Sequence, residues 1–291
     1  MSKALKPGKI LLVGGPANTG KSFFMTLIAM TVFEQDVDWV YMPLEDSKMD
    51  FVRRLLAIKG EDYGLIDDDQ DGAQGRMDAL HLYRNELVEL SKHVEESMRA
   101  PSVASDGTLI VPSLSEQRIL KWVEEKAKSG RKIIFLDPLT QIDFPGLQVE
   151  NEFIRSLLAL AEHFKVTLVL ATHTKARPGR RALDPLSIED LQGSSLWPKL
   201  CHTVILVDAH EDRENNIYCK PKFTLGVNQK KVIHNRTISV GRARNAGGSR
   251  SRIAFHQSKK RPAFMELGVC VPKSLVDKEA DHCEDWNHIE Y

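Results

Sequence analysis

GGPANTGKS, residues 14 to 22, is the stretch that decides the fold. It matches G-x-x-x-x-G-K-[ST] through Gly15, Gly20, Lys21 and Ser22. Upstream, KILLVGG (9 to 15) has the apolar pattern of a buried strand; downstream, FFMTLIAMTVF (23 to 33) reads as a buried helix. A glycine loop between strand and helix suits a phosphate, because successive backbone N–H groups and the positive end of the helix face the anion. On this reading Gly15, Pro16, Ala17, Asn18, Thr19, Gly20, Lys21, Ser22 and Phe23 form a binding loop for ATP. Lys21 would reach the β- and γ-phosphates, and Ser22 would offer its hydroxyl to Mg²⁺.

Outward from this loop the pattern repeats. DWVYMPL (38 to 44) predicts a second buried strand and EDSKMDFVRRLLAIKG (45 to 60) a helix. EDYGLIDDDQDGAQG (61 to 75) is polar; its run of acids beside glycines has the look of a solvated loop rather than a metal site. A charged surface helix is expected over 76 to 99, a short strand over 107 to 111, and a helix over 115 to 130 with Ser at its start and Gly at its end. RKIIFLDPLTQI (131 to 142), NEFIRSLLALAEHFK (151 to 165) and VTLVLATHTK (166 to 175) continue the alternation as strand, helix and strand. Strands alternating with helices predict an α/β fold with a largely parallel, twisted sheet flanked by helices. Ligands of such sheets bind at the carboxyl ends of the strands, where Gly15, Glu45, Asp137 and His173 all fall. From residue 203 the texture shifts to antiparallel strands and hairpins, so residues 1–271 are read as one ATPase core and 272–291 as an acidic tail suited to a protein partner.

Forty basic and forty acidic side chains cancel, so any nucleic-acid site must be a local patch rather than a property of the whole surface. Cys201, Cys219, Cys270 and Cys283 are widely spaced and form no C-x-x-C pair, which fits reduced thiols in a cytoplasmic protein. A first strand and phosphate loop within the first 22 residues leave no place for a leader peptide or an upstream domain, and no apolar run reaches the length of a membrane span.

Two carboxylates extend the phosphate-loop reading. Asp137 closes an apolar strand and is placed to hold the Mg²⁺ shell through water. Glu45 ends a strand expected beside that of the phosphate loop, a position suited to orienting an attacking water. WVYMPLED, IIFLDPLTQ, LVLATHTK, DLQGSSLW and VGRARN occur in the order found in RecA-like P-loop ATPases. Over residues 9 to 267 the chain resembles the hexameric DnaB-type helicases, and most of all the compact RepA helicases of plasmids, which also lack the helical domain that precedes the DnaB core. The resemblance implies that Glu45 is the catalytic glutamate and that His173 links the γ-phosphate to nucleic-acid loops. It further implies that Arg242 and Arg244 act on the nucleotide of a neighbouring subunit in a homo-oligomer, a hexameric ring in these helicases. A satisfied histidine at a strand end and a basic hairpin facing solvent or DNA are the plainer readings of these residues.

FPGLQVEN (144 to 151) and TKARPGRRALDPLSIEDLQGSS (174 to 195) correspond to the two loops that line the channel in that family. The second carries Lys175, Arg177, Arg180 and Arg181, a patch suited to tracking the backbone of single-stranded DNA or RNA; a solvated basic loop is the alternative. Three functions are compatible with these residues: a motor on single-stranded nucleic acid such as a plasmid or phage helicase, a filament-forming recombinase or repair ATPase, and an ATP-dependent switch acting on a protein.

Overall fold

Every residue of β1 (Ile10–Gly15) is buried, which a strand achieves only inside a sheet covered by helices on both faces. The computed structural model describes residues 5–66, 73–100, 102–103, 106–110, 112–175, 186–209, 216–220, 230–243, 252–258 and 260–270. After β1 come α1 (Lys21–Glu34), β2 (Trp39–Pro43), α2 (Lys48–Gly60), α3 (Ala73–Ser91) and a short pair, β3 (Ser102–Val103) with β4 (Leu109–Ile110). Next are α4 (Glu116–Lys128), β5 (Ile133–Asp137), α5 (Leu147–Phe164), β6 (Thr167–His173), α6 (Leu196–Leu200) and β7 (Thr203–Ala209). The remainder is β8 (Asn216–Lys220), β9 (Lys230–Ile233), β10 (Arg236–Ala243), β11 (Arg252–Gln257) and β12 (Phe264–Cys270).

Ten strands form one sheet in the order β2-β5-β6-β1-β7-β10-β11-β12-β8-β9. The first five are parallel, and from β10 onward every pairing is antiparallel. Alternate side chains of β1 divide the core. Ile10 and Leu12 pack against Ile119 and Val123 of α4 and Phe153 and Leu157 of α5. Leu11 and Val13 pack against Met25 and Ile28 of α1, Phe51 and Leu55 of α2, and Leu87 and Leu90 of α3. The expected α/β core of parallel strands between helices, with antiparallel strands after residue 203, is thus what the chain adopts.

Three boundaries differ from the sequence reading. Helix α2 begins at Lys48 because Ser47 and Asp50 form a reciprocal capping box, which frees residues 44 to 47 as the loop after β2. Helix α3 stops at Ser91, and residues 93 to 95 instead cover the outer edge of β2: Tyr41 N–H donates to His93 O (2.8 Å) and Glu95 N–H to Tyr41 O (2.9 Å). That satisfies an otherwise bare sheet edge. Helix α5 starts at Leu147, so the second half of FPGLQVEN is its first turn and not loop. Among the described residues no helix is long and apolar enough to cross a membrane.

Candidate nucleotide site and its surroundings

The parallel register brings the predicted groups to one edge. Gly15 at the end of β1 lies beside His173 at the end of β6, and Pro43 of β2 pairs with Asp137 at the end of β5. The phosphate loop closes on itself: Thr19 Oγ1 and Lys21 Nζ both donate to the Pro16 carbonyl, at 2.9 and 2.6 Å. Gly20 turns the chain into α1 with φ of 90°, and a Cβ there would lie 3.2 Å from the Phe264 ring. Glycine is therefore required twice over, by conformation and by space. Lys21 is buried, and burial pushes its ammonium down to about 8 against the pull of Asp137 and Glu45. It stays a cation at neutral pH, aimed at a site with no other described cation among its electrostatic partners.

Asp137 is buried, and its Oδ2 accepts a hydrogen bond from the Tyr41 hydroxyl at 2.5 Å. Burial raises its pKa, opposed by the hydroxyls of Tyr41 and Ser22 and by the Arg54 guanidinium. Its Oδ1 is buried with no hydrogen-bond partner among the described residues. A buried carboxylate oxygen facing the Ser22 side of the loop and lacking a donor is what a water of a hydrated Mg²⁺ would satisfy, so Ser22 and Asp137 fit the metal role expected of them. Glu45 lies just beyond β2, exposed, and close enough to Lys21 and His173 to perturb both. Arg54 of α2 pairs with the neighbouring Asp46 at 2.5 Å and so ties the segment that carries Glu45 to the helix behind it.

His173 is half-buried, and burial followed by the Lys21 charge holds its imidazole below the usual value. It is neutral at pH 7. Its backbone carbonyl accepts from Gln192 N–H (2.9 Å), and Thr174 N–H donates to Gly15 O (3.2 Å). The end of β6 is thereby tied both to the phosphate loop and to the far arm of the basic segment. Lys175 N–H donates to Asp190 O at 2.7 Å, closing the base of that segment, while Arg177, Arg180 and Arg181 lie outside the described residues.

Arg242 sits on β10 opposite Val204, which in turn lies beside Leu12 of β1. Strand β10 runs away from the phosphate loop, and a bulge between Val240 and Arg242 turns the side chain so that it donates to the Pro198 carbonyl at 2.6 Å. Arg242 therefore lies toward the opposite end of the sheet from Lys21 of its own chain. Arg244 lies outside the described residues.

No protein-family model and no curated protein matches the sequence. Solved structures do. The ATPase domain of one helicase superposes with a TM-score of 0.62 at 14% identity, covering 90% of this chain and 86% of that one. A DnaB-like replicative helicase, from a structure that describes its interactions with primase, gives a TM-score of 0.67 at 15% identity over 90% of this chain. The fold is that of a RecA-like, DnaB-type helicase core. This chain spans 58% of the length of the DnaB-like replicative helicase.

Within this RecA-like core, several site groups escape sequence reading. Tyr41 and Arg54 sit beneath the carboxylates; the only signal for Tyr41 was a hydroxyl inside an apolar strand, which when buried must find a partner. Phe264 and Gln257 reach the phosphate loop from β12 and β11: Phe23 meets Phe264 edge-on at 5.2 Å, and Gln257 Nε2 donates to the Tyr63 hydroxyl at 2.6 Å. Glu150, in the first turn of α5, accepts from Ser194 N–H (2.9 Å) and Trp197 Nε1 (2.7 Å), clasping α5 to the arm that returns from the basic segment. Arg54 and Asp46 aside, these pairings have no local sequence signature, because the partners stand far apart in the chain.

Proposed function

We propose that this chain is an ATP-driven motor on single-stranded nucleic acid, acting as a ring-forming helicase of the plasmid or phage replicative kind. One observation carries the reading: on a helicase-type core, Lys21, Asp137, Glu45 and His173 converge at the carboxyl edge of the parallel strands, and the strand that ends in His173 leads directly into the basic segment. Lys21 and the loop amides hold the triphosphate, and Ser22 and Asp137 hold the Mg²⁺ shell, which when bound neutralises charge on the β- and γ-oxygens. Glu45 orients the attacking water, and its exposure leaves it free to accept a proton. Neutral His173, tied through Gln192 and Thr174, relays the presence of the γ-phosphate to residues 176 to 185. Lys175, Arg177, Arg180 and Arg181 contact the strand's phosphates. Arg242 and Arg244 serve a neighbour's nucleotide, since the run of β10 carries Arg242 away from its own.

The test is steady-state ATP hydrolysis with and without single-stranded DNA at low and moderate salt. Several-fold stimulation that fades with salt is the expected result, because counterion release governs contacts to a phosphate backbone. Turnover indifferent to DNA at every salt would replace this reading with that of a switch acting on a protein.

A further inference from the structure

Strand β2 is apolar at Trp39, Val40 and Met42, and in their midst Tyr41 buries a hydroxyl. The ring has no freedom to turn: Phe135 stacks on it at 5.4 Å between centroids, and Phe51 closes the other side at 4.5 Å. Its one polar atom is committed to Asp137 Oδ2, at 2.5 Å. This leaves the carboxylate divided, with Oδ2 held by the phenol and Oδ1 buried without a partner among the described residues. An aspartate at the end of a strand otherwise turns freely about its last side-chain bond, presenting either oxygen or both. Here a rigid donor selects which oxygen is held in reserve.

We propose that Tyr41 is a positioning residue for the metal: it fixes Asp137 so that Oδ1 faces the Mg²⁺ water shell, and thereby sets the chain's affinity for Mg²⁺ with nucleotide. This rests on the reading of Asp137 as the carboxylate that supports the metal. Outer groups that orient ligands are worth a factor of about 10 to 100 in metal affinity, so one hydroxyl is enough to register. A merely structural bond, present only to satisfy two buried polar atoms, would change stability and leave the metal dependence alone.

The experiment titrates Mg²⁺ against binding of a fluorescent ATP analogue to the full chain, for wild type, Tyr41→Phe, Asp137→Asn and the double variant. Tyr41→Phe is expected to raise the half-saturating Mg²⁺ about 10-fold while leaving analogue affinity in EDTA unchanged. Adding it to Asp137→Asn should cost nothing further, because the two act through one contact. If Asp137→Asn blunts the Mg²⁺ response and Tyr41→Phe does not, the role of Tyr41 is overturned while the metal reading of Asp137 stands. If Asp137→Asn itself matches wild type, the reading beneath is wrong and the proposal falls with it. Loss of analogue affinity in EDTA in Tyr41→Phe would also overturn it, by making the residue a support of the fold.

Discussion

At the scale of single residues the site is a set of charges kept under tension. Lys21 is a buried cation, and in the absence of nucleotide its burial is a net cost. The sign of its pH dependence follows. Below about pH 8 both folded and unfolded chains carry the proton and the cost is complete; between about 8 and the ordinary 10.5 the unfolded chain binds more protons, so folded stability rises with pH. Lys21→Met should therefore stabilise the nucleotide-free protein by on the order of 1–3 kcal/mol at pH 7, with the advantage shrinking toward pH 10. Paired melting curves across that range check it; an advantage that grows with pH would contradict the burial of Lys21. Glu45 gives a second prediction. Glu45→Gln should bind ATP as wild type does and lose most turnover, by at least about 100-fold, because the amide cannot take a proton from water. Full turnover would remove Glu45 from the chemistry.

At the scale of elements, the clasp between α5 and the arm after residue 190 decides how the segment that follows β6 is held. Glu150 reaches Trp197 and Ser194 only because Gly193 lies beside it: the φ of Gly193 is +88°, and a Cβ there would collide with Glu150 Oε1. Gly193→Ala is thus expected to cost about 3 kcal/mol, from left-handed strain together with a displaced carboxylate. Trp197→Phe removes one donor and should cost about 1–3 kcal/mol. Thermal unfolding measures both, and the ordering, with Gly193→Ala the more severe, is the part that tests the clasp. A Gly193→Ala protein as stable as wild type would mean that the carboxylate lies elsewhere.

At the scale of the whole molecule the decisive feature is the change from parallel to antiparallel pairing between β7 and β10. It sends β10 away from the phosphate loop and carries Arg242 with it, so an arginine contribution from this strand reaches a nucleotide only across a subunit boundary. A variant with Arg242→Ala and Arg244→Ala should fold, bind ATP and hydrolyse it about 10³-fold more slowly by itself. Mixed with Lys21→Ala subunits, which cannot hold nucleotide but retain both arginines, it should regain part of its activity. Absence of any recovery in co-assembled mixtures would argue for action within one chain. Replacing Arg180 and Arg181 by Ala should weaken single-strand binding and flatten its salt slope; an unchanged slope would place these residues away from the strand.

The phosphate loop, the alternation of strands and helices, and the carboxylates at strand ends were legible in the sequence because each rests on local order: a glycine pattern, an apolar period, a charged residue at the close of an apolar run. Where the three-dimensional arrangement took over, contacts joined residues far apart in the chain. Helix α3 ends at Ser91, against the apolar and charged pattern that runs to 99, because the open edge of β2 needs hydrogen-bond partners more than residues 92 to 95 need a helix. The divided carboxylate of Asp137, the Arg54 tie to Asp46, the Glu150 clasp and the approach of Phe264 to Gly20 all arise from neighbours in space. Local sequence by itself determined which chemistry the chain carries, since backbone conformation and hydrophobic period act over a few residues. Only the tertiary structure decided which oxygen, which carbonyl and which end of the sheet each group meets, since burial and pairing are properties of the assembled sheet.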